Sequence, residues 1–376
     1  MTSALTKQQD LADLLVGVGI FGTGGGGDPK GWGKSIFDTD LAAGRIYELV
    51  DVAEVPDDAF IVSGGYLGSV AEDEALNRVV DSWENGFELE RAIRVVEAEH
   101  GKTADYLIAF ELGGGNTPVI LSCASRLGIP TIDGDGVGRA APETHMCSFM
   151  GHGVSLTPMP LIGGDGTEVL VRSGDIFLAD EVGRCVSSRK GGLLANAHYG
   201  MSGADLKRCA VRGSITRCME LGRFVRSCSQ TGADGLDAVC EHLGGFPLIH
   251  GKVRSLSERK AAGFYVVSAL LDGLGRDAGR RVELIIKNEV MCVKEDGEPL
   301  VIFPDLAILL HPETLEGVMT PELVEGSEIL LGAVPCDTVV RTGLESAAGR
   351  AAFASDRYGE TLDFVPVETL LKKGKV

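Results

Sequence analysis

Asp105-Tyr-Leu-Ile-Ala-Phe110-Glu111-Leu-Gly113-Gly114-Gly115-Asn116-Thr117-Pro118 decides the fold. Its apolar opening is too short for a core helix and has the length of a buried strand. The three glycines make a turn. A helix then starts, with Thr117 as its cap and Pro118 in its first turn, and runs to Leu127 before Gly128 stops it. The next apolar run, Ile129–Ile132, is another strand. Strand, turn, helix and strand in this order predict a right-handed crossover in a mostly parallel sheet.

The same punctuation recurs on either side. Ala59–Ser63 reads as a strand running into Gly64-Gly65-Tyr66-Leu67-Gly68. Ile129–Ile132 runs into Asp133-Gly134-Asp135-Gly136-Val137-Gly138-Arg139. Turns at the carboxyl ends of parallel strands converge on one crevice, and ligands bind there. Gly64, Glu111 and Asp133 are therefore expected along one sheet edge. Upstream, Leu11, Leu14, Leu15 and Val18 mark an amphipathic helix over 6–20, followed by Gly22-Thr23-Gly24-Gly25-Gly26-Gly27-Asp28-Pro29. Residues 72–99 read as mostly helical, interrupted at Asn85-Gly86.

Beyond about residue 165 the pattern changes. Residues 167–172, 246–253, 263–267, 281–287, 290–293 and 300–303 are short, β-branched or alternating segments between glycines and acidic turns. The expected fold is an α/β domain over 1–166 with a mostly parallel sheet, then a β-rich domain over 167–376. A basic helical insert spans about 203–230 and carries Lys207, Arg208, Arg212, Arg217, Arg223 and Arg226. Its plain reading is a solvated face with local ion pairs; the alternative is contact with an acidic patch on another subunit of a homo-oligomer.

The 376 residues carry a net charge of −19, which argues against nucleic acid and anionic membrane as partners. No apolar run approaches a membrane span, and the polar first ten residues do not form a signal peptide. Nine cysteines, none in a C-x-x-C pair, read as reduced thiols of a cytoplasmic protein.

Gly22, Gly24 and Gly27 formally satisfy G-x-G-x-x-G, but a helix precedes them where a dinucleotide fingerprint needs a strand. Asp28 puts negative charge where a pyrophosphate would sit, and no Gly-Lys-Ser/Thr follows to make a P-loop. The turn is better read as positioning Asp28, or as a plain hinge. Gly114 and its neighbours open a helix, so their backbone N–H groups are candidates to hold a carboxylate or oxyanion, with Glu111, Asn116 and Thr117 beside them. Asp133, Asp135, Arg139, Glu143 and His145, with His152 beyond, offer carboxylates and imidazole for acid–base work or for a divalent metal. Their spacing fits no standard metal signature, an EF-hand included. The plainer alternative makes both aspartates turn caps, pairs Arg139 with Glu143 and leaves His145 on the surface. His100, His242 and His311 receive no role.

Taken together, Gly22–Pro29, Gly64–Gly68, Glu111–Asn116, the run from Asp133 to Glu143, Asn288-Glu289, Pro304-Asp305-Leu306 and Gly326 resemble the S-methyl-thiohydantoin desulfurase-like family over nearly the whole chain. That family often accompanies hydantoinase/oxoprolinase-type proteins. The resemblance implies an α/β domain followed by a β-rich one, and hydrolytic removal of sulfur from a thiohydantoin ring. Asp133, Asp135, His145 and Glu111 would be the catalytic groups, and Asp28, Gly64, Gly65, Gly114, Asn116, Thr117, Arg139 and Glu143 the substrate contacts. One departure is Ser69-Val70-Ala71-Glu72, where the family pattern continues in an Ala-Pro-Thr-like way. Hydrolysis of a small cyclic amide or thioamide is the first reading. A non-catalytic subunit of a hydantoinase/oxoprolinase-type enzyme is the second, and a nucleotide-binding enzyme the third.

Overall fold

The computed structural model describes residues 3–5, 7–68, 83, 86–189, 193–261 and 264–373. The departure at 69–72, and most of the helical reading before Glu88, lie outside them.

The first sheet contains β1 Ser3–Leu5, β2 Tyr47–Asp51, β3 Phe60–Gly68, β4 Tyr106–Ala109, β5 Thr131–Asp135, β6 Met159–Ile162, β7 Glu168–Val171 and β8 Leu193–Ser202, with a short β9, Val211–Arg212, on β5. Its order is β1-β2-β5-β4-β3-β8-β6-β7. The four strands β2-β5-β4-β3 run parallel, as expected. Both margins are antiparallel, so the sheet is mixed. Parallel strands are buried on both faces, which is why β4 is a continuous apolar run. Its Leu107 packs into one core and Ile108 into the other.

The helices of this half are α1 Gln8–Phe21, α2 Lys34–Ala42, α3 Glu88–His100, α4 Asn116–Leu127, α5 Ser148–Gly151 and α6 Leu178–Ser187. The basic segment folds as α7 Gly203–Cys209, β9 and α8 Ser214–Ser227, followed by α9 Gly232–Leu243. Glycines let α8 lie directly on α1. A Cβ at Gly17 would sit 2.0 Å from the Cys218 carbonyl oxygen, and one at Gly222 would sit 1.8 Å from that of Asp13. Acids on the same chain meet the insert's charge: Arg226 pairs with Asp13 at 2.8 Å and Arg223 with Asp10 at 3.1 Å.

The second sheet is seven-stranded and antiparallel: β10 Phe246–Ala261, β11 Phe264–Gly273, β12 Arg281–Lys287, β13 Glu289–Glu295, β14 Glu298–Ile302, β15 Leu306–Leu310 and β16 Glu328–Val334. Val282, Leu284 and Ile286 alternate inward along β12, the period-2 signature of a one-faced sheet. Among the described residues no helix is long and apolar enough to cross a membrane.

Candidate functional site

The glycine turns pack on one another before they meet any ligand. A Cβ on Gly26 would lie 2.6 Å from Gly113 Cα, one on Gly114 2.4 Å from the Gly27 carbonyl oxygen, and one on Gly115 2.0 Å from the Trp32 ring. Both Gly115 N–H (2.9 Å) and Asn116 N–H (3.2 Å) donate to the Gly26 carbonyl. The start of α4 is thus capped by backbone from the first turn, and those two donors are spent. Thr117 is not the cap: Gly115 takes that position, and Thr117 Oγ1 accepts from Gly113 N–H at 3.1 Å. Gly64 and Gly65 are not a turn either. They continue β3 against β8, where side chains would strike the Asn196 carbonyl (2.7 Å) and the Asn116 amide (3.0 Å).

These contacts floor a small cleft with a volume of about 70 Å³, bordered by Gly26, Gly65, Glu111, Asn116, Asn196 and Glu289 among others. Glu111 leaves β4 and is 4 % exposed; its Oε1 accepts from Asn116 Nδ2 at 2.9 Å and its Oε2 from Ala141 N–H at 2.5 Å. Asn116 is held by the end of β3, accepting from Tyr66 N–H at 2.9 Å. Glu289 opens β13 of the second sheet and is 2 % exposed. Its Oε1 accepts from Gly26 N–H at 3.2 Å, and its Oε2 has no partner.

Burial is the first cause of both carboxyls' altered acidity; the charge of Asp135 adds to it at Glu111, and that of Glu111 adds to it at Glu289. Glu111 is pushed up to about 7 and Glu289 up to about 8. Two donors favour the charged form of Glu111 and one favours that of Glu289, so Glu289 keeps its proton to higher pH than Glu111. The guanidinium of Arg184 borders the same cleft, held by the carbonyls of Gly68 (2.6 Å) and Pro142 and resting 4.3 Å from the Phe264 ring. On β8, His198 is neutral because burial lowers its pKa to about 3. Its ring stands edge-on to Phe110 at 5.4 Å. Glu143 and Arg184 also border an outer chamber of about 810 Å³ with Phe264, Lys287, Arg357 and Tyr358.

The other predicted residues make the following contacts. Asp28 caps the next turn through Lys30 and Gly31 N–H, both at 2.8 Å. Asp133 caps α8: it accepts from Ile215 and Thr216 N–H at 3.0 Å and from Thr216 Oγ1 at 2.5 Å. Asp135 accepts from Val137 (2.8 Å) and Gly138 N–H (2.6 Å). Neither aspartate borders the cleft, because β9 pairs with Gly134 and Asp135 and walls off the end of β5. Arg139 is fully buried and does not pair with Glu143. It donates to the carbonyls of Ala140 (2.9 Å), Asp305 (2.7 Å) and Val290 (2.8 Å), fastening the two halves together. Glu143 binds Lys287 at 2.6 Å and Arg357. His145 is wholly buried behind it, edge-on to Phe177 and neutral through burial. Among the described residues no group of three or more His, Cys, Asp or Glu could hold a metal ion. Asp133, Asp135 and His145 share no hydrogen-bond partner, and the charge of buried Asp135 raises Glu111.

Models of the S-Me-THD-like N-terminal and C-terminal domains match residues 9–173 and 174–367. The chain belongs to the S-Me-THD-like family. No curated protein matches it. Among solved structures, the crystal structure of a structural-genomics protein from Chromobacterium violaceum is similar at a TM-score of 0.73 and 25 % identity, over 97 % of this chain and 100 % of that one. Within this S-Me-THD-like protein, Glu289, Arg184, Asn196 and His198 are cleft groups that residue-by-residue reading passed over; Glu289 is the carboxyl among them. It was visible only as part of Asn288-Glu289, one of the pairs carrying the resemblance, because its partner carboxyl lies far away in the chain.

Proposed function

We propose that this protein hydrolyses a sulfur-bearing carbon in a small five-membered ring of the thiohydantoin class, with Glu111 and Glu289 as base and acid. The supporting observation is the pair itself: two buried carboxyls from different domains, both raised in pKa, in a cleft lined by glycine backbone. Pairs of titratable groups pushed apart by their surroundings are how one site holds an acid and a base near neutral pH. For an S-methylated ring, Glu111 takes a proton from water as its oxygen bonds to the ring carbon. The carbon–sulfur bond then breaks, and Glu289 protonates the departing thiolate. The Glu289 proton ends on sulfur and the remaining proton of the added water on ring nitrogen; the proton taken by Glu111 then passes to Glu289 and restores the starting pair. The carbon becomes a carbonyl, giving hydantoin and methanethiol. Arg184 offers positive charge to the anionic intermediate.

The test is turnover of S-methyl-thiohydantoin, with thiol release as the readout. We expect Glu111→Gln and Glu289→Gln each to cut kcat by about 100-fold or more, as removal of a general acid or base does. Rates equal to wild type in either variant would refute the assignment. Absence of turnover in the wild-type protein would refute the hydrolase reading.

A further inference from the structure

Asn196 and His198 lie two residues apart on β8 and so share a face; across the ladder they sit beside Gly65 and Ser63. Both border the cleft. Asn196 is only 3 % exposed, yet no described residue hydrogen-bonds its side-chain amide. Its counterpart Asn116, by contrast, accepts from Tyr66 N–H and donates to Glu111. The amide keeps access to the cleft, where a ligand can take the hydrogen bonds that no protein group makes. Trp32 Nε1, His198 Nδ1 and Glu289 Oε2, which are buried and without partners, border the same cleft.

We propose that Asn196 is the specificity-determining residue of the cleft: its side-chain amide reads the lactam edge of the ring, the N–H and C=O that a five-membered ring holds on one side. This rests on the ring-hydrolysis reading and names what that site selects. A carboxamide presents one donor and one acceptor in a plane. A cyclic amide is cis, so its N–H and C=O face the same way and meet that plane through two parallel hydrogen bonds. An open-chain amide is trans, presents the two on opposite sides, and can satisfy only one. In a thiohydantoin or its S-methyl form the matching edge is N3–H with C4=O. It lies on the far side of N3 from the sulfur and is common to reactant and product. Asn196 therefore acts in binding and not in the chemical step.

The experiment measures hydantoin and N3-methylhydantoin binding by titration calorimetry, which needs no turnover. Wild-type protein should bind hydantoin at least about tenfold more tightly than the N-methyl compound, since blocking one partner strands the other. Asn196→Leu should bind both equally weakly. Asn196→Asp keeps the size and the acceptor, guards against a misfolded leucine variant, and should also lose at least about tenfold for hydantoin. Both variants should raise KM with kcat nearly unchanged, the mark of uniform binding. If wild type fails to bind hydantoin or to discriminate, or if the folded variants still discriminate, the assignment to Asn196 is overturned. If discrimination depends on Asn196 but no thiohydantoin is turned over, the edge reading stands and the hydrolysis reading falls.

Discussion

Glu289 and Glu111 show how a carboxyl becomes useful by being badly solvated. Burial raises both, to about 8 and about 7, so between those values Glu289 is protonated while Glu111 is ionised. The pair should give a bell-shaped kcat/KM with its maximum between those values, reduced to a single limb in Glu289→Gln. Stability carries the opposite signature. A carboxyl whose folded value is raised binds more protons when folded than unfolded, so stability falls as pH rises from the ordinary glutamate value toward the raised one. Glu289→Gln should therefore melt higher than wild type at pH 8.5, with the gap closing at pH 4; a melting difference that is the same at both would show that Glu289 is not held protonated. Asp133 is the converse case, a residue with catalytic looks and a structural task. Asp133→Ala removes three acceptor contacts at the start of α8 and should cost about 1–2 kcal/mol, as loss of a helix cap does. Turnover per folded molecule should survive, and kinetics beside urea melts will show which property moved.

At the scale of elements, close backbone approach organises this protein. The first turn and the start of α4 interlock through Gly26, Gly113, Gly114 and Gly115, and that contact sets the floor on which Glu111 and Asn116 stand. The same device joins α1 to α8. Gly222→Ala would drive a methyl into the Asp13 carbonyl, which cannot yield without moving α1. Overpacking of this kind costs about 1–3 kcal/mol. Because α1 runs into the glycine turn that donates to Glu289, the variant should lose activity at temperatures below its melting midpoint. Unchanged urea midpoint and activity would mean that the two helices slide apart freely.

Over the whole molecule, the site exists only because two sheets meet. Val290 N–H bonds to the Thr23 carbonyl at 3.1 Å, Thr320 N–H to that of Gly24 at 2.9 Å, and Arg139 crosses to Val290 and Asp305. This seam delivers Glu289 to Gly26. Charge at this scale is strongly one-sided: the net is −19, and Arg223 and Arg226 are already paired with acids of α1. We expect no binding to duplex or single-stranded nucleic acid at physiological salt, because phosphate attraction needs free cationic groups. A salt-sensitive mobility shift at micromolar protein would contradict this and direct attention to α8.

The sequence by itself determined the class of fold. Apolar runs of strand length, each followed by glycine and a helix start, can bury themselves only as parallel strands between helices, and the alternating segments beyond 240 only as one-faced antiparallel sheet. It also marked Glu111, Asn116 and the glycines around them, because residues just after a strand end must lie at the crevice. Tertiary structure alone decided which strand end stays open. Val211–Arg212 lies about eighty residues beyond β5, yet it pairs there and spends Asp133 and Asp135 on capping, leaving the open crevice at β3 and β4. It alone decided that Glu289 joins Glu111 and that Asn196 borders the same cleft. Local pattern carries burial and backbone geometry, which depend on near neighbours. Acidity and unsatisfied hydrogen bonds depend on what distant segments bring to the same few ångströms, and no spacing along the chain encodes that.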